Sequence, residues 1–300
     1  MIYIFTALYP EARPLIQYFS LIKDTKNTRF QVFRNEENEI CLTITGTGSI
    51  TAATAAASVC TEYGVKSHDF LINIGTCAGI SAGNGEMGNN PLENIVLCDK
   101  ITELSTGKTF YPDILYRNSF DEAGIITGLK LLNTLSGGQT LLAEDIKMSL
   151  QEIVLYDMEA AAIYQAGAYF FGPHQMSFLK IVSDAGAAST VSAHMVEQMI
   201  SAHIEEIAAY IRQLRKIAEI EQKQEKTLSK QAVAWIDKLS ADLHCSKVMQ
   251  DSLRQHIRYL ELAGSHYEDI FCEMYAEGKL PCKDKREGKV RFEELKRKLL

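Results

Sequence analysis

No run of about 18 apolar residues occurs in the 300-residue chain, so no segment is expected to span a membrane. The opening residues, Met1-Ile2-Tyr3-Ile4-Phe5-Thr6, are too short for a signal peptide and lack its basic flank; they read as a buried first strand. No C-x-x-C pair is present. The seven cysteines (Cys41, Cys60, Cys77, Cys98, Cys245, Cys272 and Cys282) are odd in number and scattered, which argues against a disulfide framework. Reduced thiols in a reducing, cytoplasmic compartment are expected instead. The seven histidines show no H-x-x-x-H or H-E-x-x-H arrangement, and Cys272 and Cys282 stand too far apart for a zinc knuckle, so no metal is expected. Positive charge is also short. With 31 Lys and Arg against 38 Asp and Glu the formal charge is -7, and a nucleic-acid phosphate backbone would be repelled. The exception is the tail from Glu277 to Leu300, where nine basic residues against five acidic give +4 and leave residues 1–276 at -11.

What remains is ordinary for a soluble globular protein: 46% hydrophobic and 23% charged residues, enough for one large domain or two smaller ones. Short apolar runs alternate with amphipathic ones over the first two hundred or so residues. Ile2–Thr6, Phe70–Gly75, Asn94–Leu104, Gly124–Leu132, Gln139–Ala143 and Met176–Val182 read as strands. Phe30–Arg34 and Glu39–Thr45 read as a β pair across the polar turn Asn35-Glu36-Glu37-Asn38. Glu11–Phe19, Thr51–Tyr63, Asp157–Phe170 and Ser192–Lys216 read as helices; in the last, Met195, Met199, Ile204, Ile207, Ile211 and Leu214 form the apolar side. The alternation predicts an α/β fold with helices on both sides of a largely buried sheet. Character changes near Ile217. Glu219–Lys230 is mostly charged and reads as a solvated helix or helical linker, and Gln231–Tyr275 predicts a small helical appendage ending in the basic tail. The predicted organisation is therefore a domain at 1–217 and a helical extension at 218–300.

Five segments carry residues suited to chemistry. Glu11, in Thr6-Ala7-Leu8-Tyr9-Pro10-Glu11, lies just beyond the first strand; a helix-start acid is also favoured there by the macrodipole. Thr45-Gly46-Thr47-Gly48-Ser49 joins a strand to an Ala-rich helix, and its glycines let backbone approach a ligand. Thr51 stands where a third glycine would complete G-x-G-x-x-G, so no dinucleotide cofactor is expected. Asn73-Ile74-Gly75-Thr76-Cys77 combines a strand end, a glycine and a hydroxyl, with Cys77 read as a small buried hydrophobe. Tyr156-Asp157-Met158-Glu159-Ala160 sends an acid into an Ala-rich helix, a costly placement unless the acid faces a cleft or a partner. Lys180-Ile181-Val182-Ser183-Asp184 puts Ser-Asp directly after a buried strand, where a helix cap is the alternative reading.

Taken together and in this order, the five segments resemble the nucleoside phosphorylase/nucleosidase superfamily, and within it the methylthioadenosine/S-adenosylhomocysteine nucleosidase and futalosine hydrolase branches. Met158-Glu159-Ala160 and Ser183-Asp184 are the most specific matches, and the resemblance covers roughly residues 1–217. It implies a mixed central β-sheet flanked by helices. It also implies roles: Asp184 as the acid that protonates the departing purine, oriented by Ser183; Glu11 as the base that activates water; Glu159 on the ribose hydroxyls, with Met158 packing under the sugar. Thr76, Gly75 and Gly48 would line the substrate. Breaking a C1′–N bond creates an oxocarbenium-like sugar and a poor anionic leaving group, so an acid at the base and a carboxylate at the sugar suit the reaction.

The resemblance leaves water and phosphate as competing nucleophiles. Phosphorylases of the superfamily hold phosphate with arginines; here Asn73 stands at one such place, and Glu11 near the other would repel phosphate. Hydrolysis is therefore favoured, with Arg13 as the residue that could still reach inward. Lys180 replaces an arginine common in the family. The stretch Leu141–Lys147 lacks the aromatic that usually covers the purine, leaving Leu142 or Ile146, and Tyr111-Pro112-Asp113 is a candidate to close the 5′ side of the sugar. The expected partner is a small nucleoside, with phosphate as the alternative. No membrane or nucleic acid is expected, and a homo-oligomer is expected by family analogy alone. A nucleoside sensor, with the helical extension as its interaction module, is the reading from a different class.

Overall fold

The computed structural model describes residues 1–25, 29–35, 37, 39–80, 94–129, 154–184, 191–225 and 228–299. They fall into two compact units, Met1–Glu219 and Ile220–Leu300. The expected strand at Gln139–Ala143 and the stretch Leu141–Lys147 lie outside the described residues.

The first unit is built on ten described strands: β1 (Ile2–Thr6), β2 (Ile22–Lys23), β3 (Gln31–Asn35), β4 (Ile40–Ile44), β5 (Phe70–Ile80), β6 (Ile95–Glu103), β7 (Thr109–Phe110), β8 (Asp121–Thr127), β9 (Val154–Asp157) and β10 (Met176–Asp184). They make one mixed sheet in the order β10-β6-β8-β9-β5-β1-β4-β3-β2, with β7 beside β6. Because β10 also pairs with β5, one end of the sheet closes on itself and the other stays open. The parallel neighbours β1, β5 and β10 carry the inner strands. Their residues alternate between two buried faces. Ile2, Ile4, Ile72, Ile74, Leu179 and Ile181 share one core with Leu15, Ile207 and Ile211. Tyr3, Phe5, Leu71, Phe178 and Val182 share the other with Ala52, Ala56 and Ile163. Burial on both sides explains why these strands read as continuous apolar runs rather than alternating ones.

The helices of this unit are α1 (Tyr9–Tyr18), α2 (Ser49–Tyr63), α3 (Ala160–Gly167), α4 (Ala193–Ala202) and the part of α5 (Ile204–Glu225) up to Glu219. Helices α2 and α3 pack together through small residues, including the buried Ala52, Ala55 and Ala56 of one and Ala160 and Ala161 of the other. Two expectations need correction. Residues Val154–Asp157 are a strand, and the helix expected from Asp157 begins only at Ala160 and ends at Gly167. Tyr156 pairs with Ala78, and the Asp157 carboxylate takes the Ala160 N–H at 2.8 Å, so the strand ends on a cap for the helix. The helix expected over Ser192–Lys216 is broken at His203. There the His203 N–H turns to the Ile200 carbonyl at 3.2 Å, and its ring Nδ1 lies 3.4 Å from Glu206 Oε2 at the start of α5. Met195 faces outward; Val196, Met199 and Ile200 are the buried positions of α4.

The second unit holds α6 (Lys230–Asp242), α7 (Lys247–Leu262), α8 (Glu268–Ala276) and α9 (Lys285–Leu299) around a core that includes Ile236, Leu239, Leu253, Ile257, Phe271 and Leu295. Ser229 and Ser246 cap α6 and α7 by accepting the N–H groups of Ala232 and Met249. The basic tail is helix α9, with Lys296, Arg297 and Lys298 in its last turn, where cations complement the helix dipole. Gly288 is buried within α9 because a Cβ there would lie 1.9 Å from the Leu243 carbonyl oxygen, a backbone atom that cannot step aside. Gly288→Ala is therefore expected to destabilise this unit by about 1–3 kcal/mol, the cost of overpacking. Urea unfolding checks it, with the exposed Val290→Ala as a control expected to change stability by less than about 0.5 kcal/mol.

Candidate active site

The C-terminal ends of the parallel strands β1, β5 and β10 lie side by side, the usual place for a ligand in an open α/β sheet. A cavity of about 420 Å³ opens there. Glu11, Glu159 and Asp184, separated by up to 173 positions in the chain, all line it, as do Thr76, Met158 and Ser183. The N-terminus of α4 adds Ser192, Ala193 and Val196 to the wall.

Glu11 sits in the first turn of α1 and is buried. One carboxylate oxygen accepts the N–H groups of Ala7 (2.9 Å) and Leu8 (3.0 Å); the other accepts the Thr76 N–H (2.8 Å) and hydroxyl (3.0 Å). Four donors fill the acceptor sites of a carboxylate. A water approaching Glu11 has to displace one, and the Thr76 hydroxyl is the donor able to rotate away, since the other three are backbone. Gly75 stands behind this carboxylate: a Cβ on it would be 3.1 Å from Glu11 Oε1. Its glycine is thus explained by room for Glu11, not by a place on the cavity wall.

Asp184 and Ser183 owe their direction to an irregularity. Val182 pairs with Cys77 and Asp184 with Ala78, so Ser183 is an extra residue bulged out of β10. A bulge re-aims the side chains around it. The Ser183 hydroxyl lies 2.9 Å from Asp184 Oδ2 and 3.2 Å from the Cys77 carbonyl, which ties Asp184 to the end of β5.

Glu159 precedes α3 and is buried. The N–H of Gly48 donates to its Oε1 at 2.7 Å, and the Ser49 hydroxyl donates to the Met158 carbonyl at 3.1 Å. The glycine-rich turn therefore holds the Met-Glu segment, and Gly48, like Gly75, stands behind the wall. Burial, then the neighbouring Asp157 and Glu11, push the Glu159 carboxyl up to about 7, against the opposing pull of Lys180 and the Gly48 amide.

Reading the residues alone missed the group beneath Glu159. Lys180, completely buried in β10, places Nζ 2.8 Å from Asp157 Oδ2. Burial pulls the Lys180 ammonium down, but Asp157 and Glu159 more than reverse it and hold the lysine charged. Asp157 also accepts the Thr127 hydroxyl at 2.6 Å, and Thr127 accepts the Ala161 N–H at 3.0 Å. The available signal was a lysine inside the apolar run Phe178-Leu179-Lys180-Ile181-Val182, which requires a buried partner. Nothing in the sequence marked Thr127 or the seat of Tyr156, whose ring occupies the space where Gly128 has no side chain.

No lysine or arginine lines the cavity among the described residues. Arg13 points elsewhere, to Glu197 at 3.0 Å on the surface. Asn73 is spent inside the sheet, donating to the Phe5 carbonyl at 3.0 Å. Tyr111 is exposed and is absent from the cavity wall, its carbonyl accepting the Tyr164 hydroxyl. Among the described residues no group of three or more His, Cys, Asp or Glu side chains could hold a metal, and no helix is long and apolar enough to cross a membrane.

A mixed sheet with this closure and these flanking helices is the nucleosidase fold. Solved structures that share it include the 5′-methylthioadenosine/S-adenosylhomocysteine nucleosidase of S. pneumoniae with the transition-state inhibitor MT-ImmA (TM-score 0.52, 17% identity, 70% of this chain and 97% of that one). The Helicobacter pylori enzyme with butyl-thio-DADMe-Immucillin-A matches with TM-score 0.52 at 10% identity, over 71% of this chain and 97% of that one. A Borrelia burgdorferi protein assigned to the same nucleosidases and bound to adenine matches with TM-score 0.51 at 18% identity, over 68% and 99%. No family model and no curated protein sequence matches the chain.

The raised Glu159 carboxyl makes a stability prediction. Its folded value near 7 exceeds the ordinary 4.5, so the contribution is full below about 4.5 and is lost as pH rises through 7. Glu159→Gln, which carries no charge at any pH, is expected to match the wild type at pH 4 and to be more stable by about 3 kcal/mol at pH 8. Urea unfolding at the two pH values checks it.

Proposed function

We propose that the chain is a nucleosidase that hydrolyses the N-glycosidic bond of a purine-type nucleoside to free base and sugar. One observation carries the reading: Glu11, Glu159 and Asp184 share a single cavity of about 420 Å³ at the carboxyl ends of parallel strands. Asp184 is the acid that protonates the leaving base, held by Ser183. Glu159 accepts the ribose hydroxyls and, when ionised, stabilises positive charge developing on the sugar, with Met158 packing beneath it. Glu11 takes the proton of the attacking water as the Thr76 hydroxyl turns aside. The fold shared with nucleosidases solved with nucleoside-like inhibitors and adenine supports the reaction class. The methylthioadenosine, S-adenosylhomocysteine and futalosine types are the substrate class we favour. Met1–Glu219 is the catalytic unit in this reading and Ile220–Leu300 an accessory helical unit. Seven free cysteines suit a cytoplasmic setting.

Water is favoured over phosphate because the described wall carries carboxylates and no cation, and a phosphate dianion beside Glu11 would meet repulsion. A nucleoside panel assayed with and without phosphate, with the sugar product identified, tests this. The expected outcome is base release at the same rate in both, yielding free sugar, and a loss of about 10²–10⁴-fold in rate for Asp184→Asn with the fold intact. Sugar 1-phosphate as product would establish phosphorolysis. Tight nucleoside binding without turnover, unchanged in Asp184→Asn, would establish a sensor.

We also propose that the unit self-associates through α2 and α3. The outward side of α2 carries Ile50 (84% exposed), Ala53 and Ala57, and with Tyr169 (81% exposed) lines an open apolar trough rimmed by Glu62 and Glu103. Large apolar side chains exposed together on a surface mark a place where a partner binds. Ile50→Glu is expected to convert an oligomer to a monomer in light scattering; a wild-type monomer would remove this part of the proposal.

A further inference from the structure

We propose that the buried Asp157–Lys180 pair is a positioning unit for Glu159, with Asp157 fixing the backbone turn that presents it and Lys180 serving as its counter-cation. The inference rests on the reading of Glu159 as the sugar-binding carboxylate and extends it to two residues that the cavity chemistry does not otherwise use.

The geometry is specific. Asp157 is two residues before Glu159, at the last position of β9. Its carboxylate is held from three sides: by Lys180 Nζ at 2.8 Å, by the Thr127 hydroxyl at 2.6 Å and by the Ala160 N–H at 2.8 Å. The last of these fixes the first turn of α3 and hence the residue that precedes it, Glu159. From the opposite direction the Gly48 N–H and the Ser49 hydroxyl grip Glu159 and Met158. The segment is thus clamped at both ends. A simple helix cap would need only a neutral serine or asparagine at 157. An ion pair of which both members are buried is an expensive substitute for such a cap, so the charge of Lys180 calls for a further explanation.

Charge balance supplies it. Glu159 on the cavity wall accepts the Gly48 N–H at the start of α2 and shares that wall with Glu11 on α1, Asp157 on β9 and Asp184 on β10, while Lys180 on β10 sits 2.8 Å from the Asp157 carboxylate two residues before it. Four carboxylates therefore line one cavity that carries no lysine or arginine among its described residues, and the buried Lys180, paired to Asp157, is the cation placed behind them. Neutralising Asp157 alone would leave Lys180 with a surplus for Glu159; removing Lys180 would leave every carboxylate in mutual repulsion.

The two members of the pair are therefore expected to have opposite effects on Glu159, whereas a disturbance of the local structure alone would move it the same way in both variants. The experiment is carboxyl ¹³C NMR titration of Glu-labelled protein, with the Glu159 signal assigned through Glu159→Gln, together with the pH profile of kcat/KM for nucleoside hydrolysis. Lys180→Met is expected to raise the Glu159 midpoint by roughly one pH unit or more and to move the acid limb of activity the same way. Asp157→Asn is expected to lower both. The double variant Asp157→Asn with Lys180→Met, which removes both buried charges, is expected to return the midpoint to between the two single variants and provides a folded comparison if Lys180→Met alone does not fold. Shifts of the same sign in both single variants, or an Asp157→Asn midpoint no lower than wild type or the double variant, would overturn the proposal. If the wild-type chain releases no base from any nucleoside, the proposed function fails, and the NMR titration still decides the role of the pair.

Discussion

Negative charge withdrawn from water is the constraint around which the first unit is arranged. A buried carboxylate is tolerated only when donors or a cation replace its hydration. Each carboxylate at the strand ends meets that condition differently. Glu11 is surrounded by four donors, three of them backbone N–H groups. Asp157 has an ammonium, a hydroxyl and an amide. Glu159 has one amide and a crowd of like charges, and burial with those neighbours pushes its carboxyl up to about 7. The fold explains where the donors come from: the turn after β1, Thr76 within β5 and the start of α2 all present N–H groups to one place.

Small residues follow from the same constraint. Gly75 makes room for the Glu11 carboxylate, and alanines on α2 and α3 let those two helices approach closely enough for the turn before α2 to reach Glu159. The bulge at Ser183 breaks the pairing of β10 with β5 just where continued pairing would have aimed Asp184 differently. Backbone detail, not side-chain identity alone, determines what the cavity presents.

Much of this was legible in the sequence. Buried strands such as Ile2–Thr6 and Met176–Val182 are mostly apolar runs, and the polar turn before Glu39 marks the β3–β4 pair. Carboxylates placed immediately after strands, at Glu11 and Asp184, pointed to one end of a sheet, because strand ends in parallel neighbours fall together. The rest was hidden for physical reasons. Strand β9 has only four residues and runs into an alanine-rich helix, so its period of two is too short to separate from helical periodicity. The break at His203 has no proline or glycine to announce it. Lys180 was visible as an anomaly, but its partner is a residue 23 positions earlier on the preceding strand, which does not pair with β10 in the sheet, and only the fold joins them.

The distribution of thiols has a practical consequence. Cys41, Cys60, Cys77 and Cys98 are all buried in the first unit, and burial raises each thiol far from the range where a reactive thiolate forms. In the helical unit Cys282 is buried and Cys245 half-buried, with burial pushing the Cys245 thiol up to about 11. Cys272, on α8, is the one thiol of the seven that is exposed. A maleimide fluorophore would thus attach at a single native position, on the helical unit, giving a spectroscopic reporter on that unit without any engineered residue.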